Sequence, residues 1–252
     1  MNRSEGMEKD PEINKRTAIV TGARLGMGRD IAGCLLRKGY RVAGLSRELG
    51  QDGGKVSANT LELPCDVRDE NCVQAVVEKV IQVFGTIDVL INAAGVSMPE
   101  KKNLEEVDTD LWKRIVDTNL LGTFLMCRAV LPHMKKTNSG YIINISSTAA
   151  FRSQAGNIPY SSSKYGVRAL TEGLIEETRG TGIRVTSISP GPVDTNIWSH
   201  KTVPVAQERR SRMLRVEDIT RIVDYLIFLP EHVHIDNVTV TPWFSLTAPA
   251  PP

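Results

Sequence analysis

The chain has 252 residues, 41% of them apolar and 24% charged, ordinary figures for a soluble globular protein large enough to bury a sizeable core. A formal net charge of +2 is too small to mark nucleic acid as the main partner, and no apolar run approaches the roughly 18 residues that span a membrane. Cys34, Cys65, Cys72 and Cys127 show no C-x-x-C spacing, so they are expected as reduced, mostly packed thiols of a cytoplasmic protein rather than a disulfide frame.

Residues 1–15, MNRSEGMEKDPEINK, lack the apolar core of a signal peptide and read as a flexible leader. The sequons at Asn144 and Asn237 then have no chemical consequence in that compartment. From residue 17 short β-branched runs alternate with segments of helical period. TAIVT at 17–21 predicts a strand, 26–38 a helix and YRVAGLS at 40–46 a second strand. Val73, Val76, Val77, Val80 and Phe84 lie on one face of a helix, and IDVLIN at 87–92 counts as the fourth strand. A long helix over about 110–135 follows, then a strand at 141–146, a helix from Tyr160 to about Arg179 and a strand at 183–189. IDNVTVTP, 235–242, serves as the last strand, and the proline-rich 243–252 is a tail. Strict alternation predicts one α/β domain over 16–242. Its architecture is a Rossmann-type doubly wound parallel sheet of about seven strands with helices on both faces.

The first strand runs into Thr21-Gly22-x-x-x-Gly26-x-Gly28, a glycine loop that brings a helix N-terminus against a pyrophosphate, whose charge suits the free N–H groups and the dipole. The next strand ends in Ser46 and Arg47, where an acidic residue would select NAD(H). With Arg24 in the loop, two guanidiniums and a hydroxyl describe a site for a 2′-phosphate, so NADP(H) is favoured over NAD(H). Glu48, one turn further, is the competing carboxylate.

Ligands of such sheets lie beyond the carboxyl ends of the strands. Asn92, Ala93, Ala94 and Gly95 close the fourth strand with small residues, and Ser146 and Ser147 close the fifth. Tyr160 follows with Lys164 one helical turn on, and the sixth strand ends in SPGPVDT, with Thr195 available to an amide. By itself the Tyr160–Lys164 pair is either an ordinary aromatic beside a cation or a tuned acid. Its company changes the reading. Thr21-Gly22-x-x-x-Gly26-x-Gly28, Asn92-Ala93-Ala94-Gly95, Asn119 in DTNLLGTF, Ser147, Tyr160-x-x-x-Lys164 and Pro190-Gly191 occur in order over about residues 16–229. This set resembles the short-chain dehydrogenase/reductase family, and within it the 3-oxoacyl reductases.

The resemblance implies catalysis by Asn119, Ser147, Tyr160 and Lys164. It also implies cofactor contacts from the glycine loop with Met27, from Asp66 and Val67 beside the adenine, from Asn92 to Gly95, and from Pro190, Gly191, Val193 and Thr195. Physically, a tyrosine with a free pKa of about 10 needs a cation beside it to exchange protons near neutrality. Ser147 would donate to the carbonyl oxygen, and Asn119 is expected to hold a water leading from Lys164 to solvent. The implied activity is reduction of a ketone or aldehyde, a 3-oxoacyl thioester among them, by NADP(H). The rivals are an NAD(H)-linked polyol, sugar or hydroxysteroid dehydrogenase and a non-catalytic nucleotide-sensing protein.

Other features read more plainly. Tyr165 is expected in the core or an interface, Ser146 on the face opposite Ser147, and Ser161, Ser162 and Ser163 as residues suited to a helix start. Residues 196–214, with Trp198, form a substrate lid, and Arg209, Arg210, Arg212 and Arg215 a solvated helix face or a dock for an anionic substrate. Phe151, Gln154 and Asn157 are candidate lining residues. His232 and His234 would share one face of a strand but lack carboxylate or cysteine company, so no metal is expected. The C-terminus lacks the family's usual Asp-Gly-Gly, which leaves the assembly open between dimer and tetramer. Helices near 110–135 and 160–179 are the expected interface, and no nucleic acid or membrane partner is expected.

Overall fold

The computed structural model describes residues 16–49 and 56–243; the expected leader, and the tail beyond Trp243, lie outside them. Strand β1 (Thr17–Thr21) is buried along its whole length, as a central strand covered on both faces requires. Helix α1 (Gly26–Arg37) carries the chain to β2 (Arg41–Ser46), which pairs with β1 in parallel. A two-residue strand β3 (Val56–Ser57) lies antiparallel on β4 (Thr60–Pro64), and β4 pairs in parallel with β2. Helix α2 (Glu70–Phe84) leads to β5 (Val89–Asn92), on the other side of β1. Strands β6 (Gly140–Ile145), β7 (Ile183–Pro190) and β8 (Asn237–Val240) continue outward in parallel. The order is β3-β4-β2-β1-β5-β6-β7-β8. Seven strands are parallel, as expected; the eighth, β3, is too short to carry a periodic signal. The strand order reverses between β1 and β5, which opens a crevice at their carboxyl ends.

Side-chain alternation builds two cores from one sheet. Ala18 and Val20 face α1 and helix α7 (Val216–Ile227), together with Ile31, Leu35, Ile219 and Val223. Ile19 faces the other way, onto Val73, Val76, Val77, Val80 and Phe84 of α2. Asp69 caps α2 by accepting from Asn71 N and Cys72 N, and Gly85, at φ 82°, ends it.

The long helix expected over 110–135 is interrupted. It begins as α3 (Thr109–Val116), widens into a π-type turn over Asp117–Leu121, and resumes as α4 (Gly122–Thr137). The helical run Thr109–Thr137 is long and apolar enough on average to cross a bilayer. Its apolar side chains are committed elsewhere: Leu125, Met126, Val130 and Met134 pack on the sheet, and Leu111 and Ile115 on Met98. It is a core helix. Helix α5 (Ile158–Thr178), with Pro159 in its first turn, follows β6, and a short helix α6 (Gln207–Ser211) precedes α7. His232 and His234 lie in the irregular segment before β8, not on a strand, and His234 Nε2 is 3.1 Å from Asp236 Oδ1.

Candidate active site

The crevice is built from backbone that approaches backbone. Thr21 Oγ1 accepts from Ala93 N and Ala94 N, at 3.0 Å each, and so ties the end of β1 to the end of β5. Gly22 has φ 67°, and a Cβ there would fall 3.0 Å from Ala93 O. A Cβ on Gly28 would lie 2.4 Å from Gly22 O, so only glycine lets the first turn of α1 rest on the loop. Leu25, the N-cap of α1, gives no side-chain bond, and the first turn holds no acidic residue. Its N–H groups therefore lack a side-chain acceptor, which suits a pyrophosphate. Gly26 approaches Thr195, and Met27 packs on the core behind the loop.

Asn92 is turned inward. Its Nδ2 donates to Asn144 Oδ1 at 2.9 Å, and Asn144 Nδ2 donates to Thr171 Oγ1 at 3.0 Å, a buried strut from β5 through β6 to α5. Asn144, a sequon residue, is thus fully buried.

At the outer end of the crevice Arg24 forms an ion pair with Glu48. Ser46 accepts from Cys65 N at 2.9 Å through its carbonyl, which aligns β2 with the loop after β4. In that loop Arg68 grips Asp66 through Nε at 2.9 and 3.1 Å and through its terminal nitrogen at 2.5 Å. These bonds, with the more distant Arg47, hold the Asp66 carboxyl below the usual carboxylate range. Val67 is buried against α4, where a Cβ on Gly122 would lie 2.6 Å from its Cγ2. All four cysteines are free thiols; Cys65 and Cys127 are buried, Cys34 and Cys72 partly exposed.

The catalytic candidates gather around the carboxyl end of β6. Lys164 is 5% exposed; its Nζ donates to Ile145 O at 2.9 Å and lies 5.8 Å from the centroid of the Tyr160 ring. Ser147 stands beside the Tyr160 phenol, and its hydroxyl accepts from Ala149 N at 3.1 Å. A Cβ on Gly95 would stand 3.3 Å from Asn119 Oδ1 and 3.8 Å from Lys164 Nζ, so glycine keeps this space clear.

Burial and internal hydrogen bonds set the state of these groups in the protein alone. Burial pushes the Tyr160 phenol above its ordinary value, and Ser147 only partly opposes this. The Lys164 ammonium is directed at the Ile145 carbonyl. Lys164 itself is lowered to about 8 by burial. Asn119, expected to hold a water, spends both side-chain donors within the protein. Its Nδ2 donates to Val96 O and to Ser163 Oγ, each at 2.9 Å, while Oδ1 accepts from Val96 N at 2.8 Å. The π-type turn places this side chain between the β5 loop and α5, where it sets their spacing.

Ser163 is the residue that sequence reasoning undervalued. It is fully buried, donates to Tyr160 O at 2.7 Å and receives Asn119, so it links the π-type turn to the turn of α5 that carries Tyr160. Its position three residues after Tyr160, on the same helix face, was the available signal. Ser161 is buried too, so only Ser162 of the three serines is exposed. Ser146 is buried against the backbone of α5 (Oγ to Lys164 O, 3.4 Å), while Ser147 is partly exposed. Tyr165 is 42% exposed and not in the core.

Beyond β7, Gly191 N donates to Val240 O at 2.7 Å, which anchors the Pro190–Gly191 turn to β8. Val193 is buried, and its carbonyl accepts Trp198 Nε1 at 2.7 Å. Thr195 caps a short turn over Asn196–His200. The four arginines do not form one solvated face: Arg210 pairs with Asp194, Arg212 with Glu208, and the Arg215 N–H donates to Asp218. Phe151 is also displaced from its expected role. It lies under the Arg168 guanidinium and, with residues of α5 and Asn237, lines a cavity of about 190 Å³ that includes none of the four catalytic candidates. Gln154 and Asn157 form the turn before α5, with Asn157 N donating to Gln154 O at 3.1 Å. Among the described residues no group of three or more His, Cys, Asp or Glu is placed to hold a metal ion.

Comparison with known proteins agrees with this geometry. The profile described as short chain dehydrogenase matches residues 16–204. An uncharacterized oxidoreductase of Staphylococcus saprophyticus is 36% identical over 238 residues, covering 92% of this chain and 99% of its own. The structure resembles serine dehydrogenase from Escherichia coli, with a TM-score of 0.77, 29% identity and coverage of 90% and 97%. It also resembles a 3-ketoacyl-(acyl-carrier-protein) reductase from Brucella melitensis complexed with NADH, with a TM-score of 0.80, 26% identity and coverage of 90% and 97%. Glycine cradle, Ser-Tyr-Lys grouping and relatives lead to one conclusion: the chain belongs to the short chain dehydrogenase family of oxidoreductases.

Proposed function

We propose that the protein is a reductase of ketones or aldehydes that uses NADP(H), with 3-oxoacyl thioesters among its candidate substrates. The observation that carries this reading is Lys164 Nζ held 5.8 Å from the Tyr160 ring, with Ser147 beside the phenol, next to a glycine-lined crevice. Gly22, Gly26 and Gly28 with the N-terminus of α1 would hold the pyrophosphate, Asp66 and Val67 would flank the adenine, and Gly95 and the 190–195 turn would flank the nicotinamide. When bound, a reduced nicotinamide supplies the hydride. Ser147 and Tyr160 would donate to the substrate oxygen as it gains charge, and Tyr160 would yield its proton. A phenol raised by burial stays protonated at neutral pH, as a donor must. The Lys164 ammonium, with a pKa of about 8, is mostly charged at pH 7 and would stabilise the phenolate left behind. Asn119 and Ser163 position these groups.

Arg24, Arg47 and Arg68 near Ser46 favour a 2′-phosphate. The Arg24–Glu48 pair favours a second reading, NAD(H) held by Glu48 at the ribose, as in an NAD(H)-linked alcohol dehydrogenase. The relative affinity for NADPH and NADH separates the two. Exposed Leu121 and Phe124 on the π-type turn and α4, and Tyr165 on α5, support a homodimer through these helices. The test of the main reading is a panel of carbonyl compounds followed by loss of reduced-nicotinamide absorbance. Wild type is expected to turn over at least one compound, and Tyr160→Phe to lose about a hundredfold or more with cofactor affinity kept. Turnover retained in Tyr160→Phe, or absent from wild type across the panel, refutes it.

A further inference from the structure

The turn over residues 190–195, which would receive the nicotinamide, is held from outside itself. Leu214 N donates to Pro192 O at 3.0 Å and Asp194 N donates to Leu214 O at 2.8 Å, so the far end of the segment that follows the turn returns to lie parallel to it. Leu214 is buried in the core shared with α1 and α7, which makes it a firm anchor. One side chain adds to this backbone bridge. Arg210, on α6, donates through Nε to Asp194 Oδ1 at 2.7 Å and places a terminal nitrogen 2.5 Å from the same oxygen.

The near end of the same segment is tied to both walls of the site. Trp198 Nε1 donates to Val193 O at 2.7 Å, and Thr202 N donates to Pro99 O at 3.1 Å. Pro99 follows Met98, which is buried in the apolar cluster against which Tyr160 packs. The bridge to Leu214 ends at Asp194 N, and the next fixed side chain is Thr195, whose Oγ1 accepts from Ile197 N at 3.3 Å. A Cβ on Gly26 of the pyrophosphate loop would stand 3.4 Å from Thr195 Cβ. Between these two points the chain is steadied by the Asp194 carboxylate in the grip of Arg210. Both side chains are about a third exposed, so the ion pair adds little to global stability. What a contact through two nitrogens does fix is direction, and here it directs a short turn whose next residue lies against the pyrophosphate loop.

We propose that Arg210 is a positioning residue for the cofactor. Through Asp194 it sets the angle of the 190–195 turn, and it ties that angle to the placement of the 196–214 segment. Retention of the nicotinamide and closure of the segment are then one event, with Arg210 acting through Asp194 rather than on the ring. The inference rests on the cofactor placement proposed above and deepens it. A pair that merely braced α6 would leave the affinity for the nicotinamide end of the cofactor unchanged.

The experiment measures affinity calorimetrically on the full chain with two matched pairs, NADPH against 2′-phospho-ADP-ribose and NADH against ADP-ribose. The members of each pair differ only by the dihydronicotinamide ring, and using both pairs makes the result independent of the 2′-phosphate. Wild type is expected to bind the ring-bearing member of its preferred pair roughly tenfold tighter or more. In Arg210→Met that ratio is expected to fall about fivefold, the reach of a partly exposed ion pair, while the ringless member binds as before. Asp194→Asn is expected to do the same, the double variant to do no worse than either, and Arg210→Lys to recover part of the loss. A ratio unchanged in Arg210→Met, an equal loss for both members, or losses that multiply in the double variant overturn the role of Arg210 alone. A wild type that binds both members of each pair alike refutes the place given to the nicotinamide, and this role with it.

Discussion

Lys164 allows the site's electrostatics to be tested apart from its chemistry. Burial lowers its pKa from 10.5 to about 8. A cation whose folded pKa lies below its unfolded value destabilises the native state wherever both states are protonated. That penalty is fully present below about pH 8 and is relieved as pH rises towards 10.5, because the unfolded chain then binds more protons than the folded one. Lys164→Met removes the titration and also the 2.9 Å bond to Ile145 O. The lost bond, worth about 1–3 kcal/mol with its carbonyl left buried, shifts the variant's stability at every pH alike. The informative quantity is therefore the difference between wild type and variant as a function of pH. Integrating the linkage between pH 7 and pH 10 gives a relative gain for wild type of roughly 2.5 kcal/mol. Urea unfolding of both proteins at several pH values measures it, and other titrating groups cancel in the difference. A difference that stays flat across this range, or changes with the opposite sign, refutes the claim that Lys164 is a desolvated ammonium.

Three further predictions concern geometry. Gly28→Ala drives a Cβ into the backbone of Gly22 and Thr21, costing about 1–3 kcal/mol and weakening nucleotide binding, whereas Gly33→Ala in the same helix meets only the Arg37 side chain at 3.4 Å and should stabilise by about 0.5–1 kcal/mol. Thermal midpoints of opposite sign for the two variants are the check. Arg47→Ala should weaken NADPH by roughly ten- to a hundredfold and NADH little, read from dissociation constants; equal losses would show that the phosphate is held elsewhere. Asn119→Leu strands the Val96 amide and carbonyl and the Ser163 hydroxyl, so stability should drop by about 3 kcal/mol or more and turnover with it. A variant as stable as wild type would deny the bridge.

Much of the architecture lay open in the local pattern. The β-branched, largely apolar TAIVT reads as a strand buried on both faces, and valines at 73, 76, 77 and 80 as one side of a helix; both elements form where the periodicity puts them. The glycines of the first loop were equally legible, since a missing side chain is itself a statement that backbone must come close. Contacts between residues far apart in the chain were not. The interruption at Asp117–Leu121 follows helix-forming residues and has no local signature; what accompanies it is Asn119, engaged by Val96 and by Ser163 from another helix. Likewise Arg24 and Arg47 read alike in sequence, yet the fold pairs Arg24 with Glu48 and brings Arg47 near Asp66. The raised Tyr160 phenol is a further case: desolvation is set by everything packed around a group, and no short stretch of sequence records it. Periodicity and spacing determined which elements form and which side chains share a face. Only the tertiary structure decided which charges meet, how deeply they are buried and what they are left to bind, because those energies depend on distance and solvent exclusion rather than on order along the chain.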